Sequence, residues 1–149
     1  MLPYRSCVVG VFLNEIGHVL VGRRKEEAMW QFPQGGVEIG ETEEEALYRE
    51  MKEELGCSEF LIIQKLDNLV SYDFPVGLNR PIAKKYKGQE QRWFLCQFRD
   101  SFGPQLDCAL DDEFVETRWV TPEEAVRDVV DWKKNVYQNA LHQFKLLRV

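Results

Sequence analysis

Residues 35–57, GGVEIGETEEEALYREMKEELGC, decide how the rest of the chain is read. Thr42 is a strong helix N-cap, Glu45 three residues later completes a capping box, and Gly56 stands where a left-handed helix stop belongs. The spacing predicts a helix from Glu43 to Leu55. On that helix Glu50, Glu53 and Glu54 fan over an arc of about 100°, while Leu47, Met51 and Leu55 fill the neighbouring arc. One side is expected to anchor in a core and the next to present acid, directly behind a glycine-rich loop.

Like charges at these spacings repel, by a few tenths of a kcal/mol per i,i+4 pair on an isolated helix and by more where the face is partly buried. A bound cation reverses the sign of that contribution. Hard oxygen ligands suit Mg²⁺, with Mn²⁺ as an alternative, and Mg²⁺ is usually held by a few carboxylates together with water and substrate phosphates. The same triplet, with Lys52 nearby, also reads as an ordinary solvated acidic face. The glutamates alone leave both readings open.

The full spacing is more specific: Gly35, five residues, Glu41, seven residues, Arg49-Glu50, the apolar Met51, one residue, Glu53-Glu54, one residue, Gly56, then the apolar Cys57. At every fixed position it resembles the signature of the Nudix hydrolases. Trp30-Gln31-Phe32-Pro33-Gln34-Gly35-Gly36, just before it, is similar to the corresponding segment of the bacterial RNA pyrophosphohydrolases and of the diadenosine polyphosphate hydrolases. Tyr4-Arg5, Arg23-Arg24, Gln89 to Phe94 and Glu113 to Val120 extend the resemblance over most of the chain.

The resemblance implies an α/β fold, the Nudix α/β/α sandwich with a mixed β-sheet. It implies attack of water on phosphorus within a nucleoside diphosphate linked to another group. Glu50, Glu53 and Glu54 match the family's metal-binding glutamates, and Glu113 matches a fourth carboxylate from outside the motif, with Asp111 and Asp112 as rivals. Gly35, or the adjacent Gln34, is expected to offer a backbone carbonyl to the metal. Glu41 and Arg49 take support roles, bracing loop against helix, where an ordinary exposed ion pair would contribute only about 0–1 kcal/mol. Arg5 and Arg24 are expected at phosphate or the first base, Tyr72 and Gln89 along the pocket, and Trp132-Lys133 as a stacking plane followed by a charge. Packing into the core is the competing role for Trp132. Which glutamate serves as the general base is left open.

At 149 residues and 44% hydrophobic, the chain can bury a real core, and without repeats or linker-like tracts residues 1–149 read as one domain. A net charge of −6 and a pI near 5.0 argue against a broad basic grip on nucleic acid, so no DNA partner is expected. Contact with one RNA end remains compatible, because bound cations would offset the acidic helix. Cys7, Cys57, Cys96 and Cys108 are scattered and only His18 and His142 accompany them, a poor pattern for zinc. Cys7 and Cys96 fall in apolar runs and read as small core residues. The start MLPYR lacks the apolar stretch of a signal peptide, no membrane-spanning run follows, and a cytoplasmic location is the expectation.

Strands are predicted near Ser6–Leu13 and His18–Arg23 about the turn Asn14–Gly17, into Phe32, over Leu61–Tyr72, Arg92–Phe98 and Glu116–Val120. Thr121-Pro122-Glu123-Glu124 predicts a second helix start, and Trp132–Leu147 a final helix. Phe74 to Gln89, with two prolines and two glycines, reads as a mobile loop whose Lys84, Lys85 and Lys87 either steer a polyphosphate or are simply solvated. The expected activity is Mg²⁺-dependent release of pyrophosphate from a 5′-triphosphate RNA end, initiating mRNA decay. Hydrolysis of diadenosine tetra- or pentaphosphate is the close alternative, and a non-catalytic nucleotide sensor the distant one. Oligomeric state is not specified by the sequence.

Overall fold

The structure is a computed structural model, and it describes residues 1–148. β1 (Tyr4–Phe12) lies centrally in a five-stranded mixed sheet. It pairs in parallel with the eleven-residue β7 (Gly88–Phe98) and antiparallel with β4 (Gln34–Gly36). Its run Cys7-Val8-Val9 and Val11-Phe12 is buried throughout, as a strand covered on both faces requires. Alternation then divides the side chains. Val8 and Phe12 join Leu47, Met51, Phe60 and Phe94 in one cluster, while Val9 and Val11 join Phe32, Trp93, Tyr137 and Leu141 in another.

The first cluster seats α1 (Glu43–Leu55) on one face, and the second seats α3 (Pro122–Asp128) and α4 (Lys134–Gln143) on the other. The expected sandwich is therefore present, with a mixed sheet between its helices. A second, antiparallel sheet holds β2 (Val19–Arg24) between β3 (Trp30–Gln31) and β8 (Phe114–Val120).

α1 occupies its predicted span. Thr42 Oγ1 accepts from Glu45 N at 3.0 Å and Glu45 Oε1 accepts from Thr42 N at 2.9 Å. Gly56, at φ 73°, closes the helix where a Cβ would overlap Gln105 O. Thr42→Ala should lower unfolding stability by about 1 kcal/mol, measurable by urea titration, with little change in catalysis. The Thr121–Glu124 capping box forms as well.

Three other predicted boundaries move. Leu61–Tyr72 is not one strand but two, β5 (Phe60–Lys65) and β6 (Val70–Asp73), which pair with successive lengths of β7. Arg92 stabilises the break, donating from Nη1 to Leu66 O at 3.0 Å and Asp67 O at 2.6 Å. The supposed loop 74–89 contains the short α2 (Ile82–Lys85), and Gly88-Gln89 already belongs to β7. The last helix is shorter than Trp132–Leu147, because Asp131–Lys133 forms a 3₁₀ turn and Lys145 takes φ 61°. No helix among the described residues is long and apolar enough to cross a membrane.

Candidate active site

β1 and β7 pair in parallel, with Arg5 opposite Gln89, and β6 places Tyr72 on the other side of Gln89. The 3₁₀ turn brings Trp132 and Lys133 to the same place. Arg5, Arg24, Tyr72, Gln89, Trp132 and Lys133 consequently line one cavity of about 330 Å³, together with Glu113. The residues that sequence reasoning separated across most of the chain are thus brought together. The cavity also contains Gln31, Gln34, Phe74 and Arg80, which were not assigned to substrate.

Trp132 is half-buried, with its ring 5.6 Å from Tyr72 and 6.1 Å from Phe74. It belongs to an aromatic wall of the cavity. Lys133 is buried, and its ammonium stands 5.3 Å from the Trp132 ring. Burial, and then the nearby Arg24 and Arg80 charges, push its pKa down to about 8. Lys87 lies over the Tyr4 ring at 4.4 Å, whereas Lys84 and Lys85 are exposed and do not line this cavity.

At one edge stands Glu113, 3.2 Å from Arg24 Nη2. The loop that carries it is tied to the end of α1, with Gln105 N donating to Leu55 O at 2.7 Å and Asp111 N to Glu53 O at 3.0 Å. Its carboxylate thereby stands near enough to Glu54 to raise that residue's pKa. Asp111 instead accepts from Glu113 N at 3.2 Å, bracing the same turn.

Glu54 overturns the picture of three acids on an outward helix face, because it is only 1% exposed. Its Oε1 accepts from Gln34 N at 3.0 Å, but burial, and then Glu113, push its pKa well above the usual carboxylate range. Glu50 is half-buried and likewise raised by burial, against the pull of Arg49, which donates to its Oε1 at 2.7 Å. Glu53 is more open and meets Arg49 at 3.3 Å.

Arg49 does more than an exposed ion pair. It donates to both oxygens of Glu41, at 2.7 and 2.9 Å, and to Gly36 O at 2.7 Å. Glu41 answers by accepting from Glu38 N at 3.0 Å, and Arg49 holds its pKa down at about 2. Loop and helix are bolted together through one guanidinium.

Among the described residues no three acidic, histidine or cysteine side chains are already drawn around a point that would hold an ion. The donors nevertheless fit a hard divalent cation. They are all oxygens, Glu113 raises the pKa of the buried Glu54 although Arg24 pairs with Glu113, and Gly35 comes so close to Glu50 that a Cβ there would overlap Glu50 Cδ.

A family model for the NUDIX domain matches residues 3–140. The chain belongs to the NUDIX family. The RNA pyrophosphohydrolase of Roseobacter denitrificans is 37% identical over 149 residues, covering 97% of this chain and 93% of that protein. That of Erythrobacter litoralis is 38% identical over 154 residues, covering 98% and 93%. The fold of the Nudix protein also matches the E. coli dihydroneopterin triphosphate pyrophosphohydrolase, with a TM-score of 0.66 at 18% identity over 95% of this chain and 99% of the other. In Nudix terms, β4 and α1 carry the signature, and the cavity lies beside it on elements from elsewhere in the chain.

Proposed function

We propose that this Nudix protein is a Mg²⁺-dependent hydrolase that removes pyrophosphate from the 5′-triphosphate end of RNA and leaves a 5′-monophosphate. The observation that carries this reading is the single cavity that joins an aromatic wall to a cationic one and ends at Glu113. A purine stacked on Trp132, beside Tyr72, contributes about 1–3 kcal/mol without demanding one RNA sequence. Arg5 and Lys133 then meet the phosphates. The names of the curated relatives support the choice of RNA.

Glu50, Glu53, Glu54 and Glu113 would hold the ion, with a backbone carbonyl from Gly35. When bound, it lowers the pKa of the attacking water and neutralises charge on the phosphate oxygens. Arg49 and Glu41 keep the Gly36 loop against α1. In this reading Glu50, whose pKa is raised by burial, takes the proton from water.

A dinucleoside polyphosphate is the second reading. A smaller cavity of about 170 Å³ adjoins the first through Gln31, Arg80, Trp132 and Lys133, and offers room for a second nucleoside. Rates on triphosphorylated RNA, diadenosine tetraphosphate and free nucleoside triphosphates, measured side by side with Mg²⁺, test the proposal. RNA should be turned over fastest. A dinucleotide rate higher by orders of magnitude would replace the first reading with the second, and no turnover of any of them would favour a nucleotide sensor.

A further inference from the structure

Gln89, Gln91 and Trp93 alternate along β7 and so share one of its faces, and all three are buried. Their hydrogen bonds run in one direction. The Trp93 indole N–H, which can only donate, meets Gln91 Oε1 at 3.0 Å. With its oxygen taken, Gln91 has only its NH₂ to offer elsewhere. Nε2 donates to Gln34 Oε1 and to Gln89 Oε1, each at 3.0 Å. Tyr72 OH adds a second donor to Gln89 Oε1 at 2.8 Å.

We propose that Gln91 is a positioning residue, through which the Trp93 indole turns the carboxamides of Gln34 and Gln89 so that both present NH₂ donors to the cavity. Trp93 cannot reverse the chain. Its ring is fully buried, edge-on to Phe32 at 5.6 Å and to Tyr137 at 5.5 Å. A flipped Gln91 would face the indole N–H with another donor and leave both groups unpaired in a dry site, at a cost of about 1–3 kcal/mol for each. Neither Gln34 Nε2 nor Gln89 Nε2 has a hydrogen-bond partner among the described residues, and both side chains line the cavity.

The consequence is a wall rich in donors, in a cavity that Gln31 and Glu113 also line. Arg5, Arg24 and Lys133 can only donate, the two glutamines are fixed as donors, and the Glu113 carboxylate is engaged by Arg24. A group seated against the Arg5, Lys133, Gln34 and Gln89 donors is held best if it brings acceptors, as phosphate oxygens do. The identity of the ligand rests on the proposed function; the direction of the chain does not.

Two measurements test the idea. In ¹⁵N spectra of the wild-type protein, the side-chain NH₂ of Gln91, assigned by its loss in Gln91→Met, should exchange slowly with solvent. Those of Gln34 and Gln89 should exchange faster and shift when inorganic pyrophosphate is added. A solvent-rate Gln91 NH₂, or Gln34 and Gln89 signals indifferent to pyrophosphate, would overturn the proposal. Kinetically, Gln91→Met should raise KM about tenfold while kcat stays within about threefold, the size expected when donors lose their aim. In a Gln34→Ala/Gln89→Ala background the same substitution should raise KM no further. An equal rise there would assign Gln91 a merely structural role. These rates are taken on triphosphorylated RNA, or on diadenosine tetraphosphate if that is the compound turned over, so that a failed choice of substrate and a failed positioning chain give different results.

Discussion

Glu54→Gln should cost about 10³-fold in turnover, equivalent to about 4 kcal/mol of barrier, and should at the same time raise the unfolding temperature of the metal-free protein by a few degrees. The two effects have one cause. Glu54 is only 1% exposed and lies against the Glu113 carboxylate, so in the absence of a cation its charge is both desolvated and repelled. Glutamine keeps the shape and retains an acceptor for Gln34 N, the one hydrogen bond that Glu54 makes to the loop. It removes only the charge, which a divalent ion held as proposed would need and the fold alone does not.

The sign of the pH dependence follows. Glu54 has a folded-state pKa above its unfolded value of 4.5, so it favours the folded state fully at pH values below 4.5 and progressively less as pH rises. The variant's thermal advantage in a chelator should therefore be present at pH 7 and absent near pH 4. Added Mg²⁺ should stabilise the wild type by mass action and the variant much less. Scanning calorimetry with chelator and with Mg²⁺, beside kcat at saturating Mg²⁺, checks each part. A variant that melts below the wild type at pH 7 in chelator would show that the buried carboxylate is not a cost.

Helix α1 was legible because each of its determinants is local. Thr42 and Glu45 are three residues apart, Gly56 acts through its own φ, and Leu47, Met51 and Leu55 recur at helical spacing. Glu54 shows where such reasoning stops. Helical phase places it among the acids, yet whether an arc faces solvent depends on what covers it, and here the covering comes from Gln34 twenty positions earlier and Glu113 far downstream. The same limit explains the strands. Leu61–Tyr72 is apolar enough to suggest one run, and the break after Lys65 is stabilised by Arg92, whose guanidinium takes two carbonyls that no local pattern reveals.

Gln91 was missed for a related reason. A glutamine among strand residues carries no burial signal of its own, and Gly88 to Gln91 looks too polar for a covered strand. The available clue was the alternation Gln89, Gln91, Trp93, which places two amides on the face of a large aromatic ring. Arg5, Arg24, Gln89 and Trp132 were found only through family likeness, since nothing in their spacing says that a parallel β1–β7 pair and a 3₁₀ turn bring them around one cavity.

Arg49→Met should lower stability at pH 7 by about 2 kcal/mol and reduce kcat by roughly 10²-fold, although Arg49 is placed to brace the site rather than to hold substrate. The loss comes from what is stranded. Glu41 gives up two charge-assisted bonds, Gly36 O loses its donor, and Glu50 is left half-buried beside Glu53 without its cation. Arg49→Lys should recover part of the stability but little of kcat, because an ammonium supplies the charge without the planar fork that reaches Glu41, Gly36 and Glu50 together. Acid titration separates the charge pair from the packing. Glu41 is held at a pKa of about 2 against an ordinary 4.5, so its contribution is complete above pH 4.5 and disappears as pH falls towards 2. Without Arg49 that contribution is already absent at neutral pH. The stability difference between wild type and Arg49→Met, followed by urea unfolding, should therefore be widest above pH 5 and should narrow towards pH 3. A gap that stayed constant across this range would place the effect in packing rather than in the Arg49–Glu41 pair.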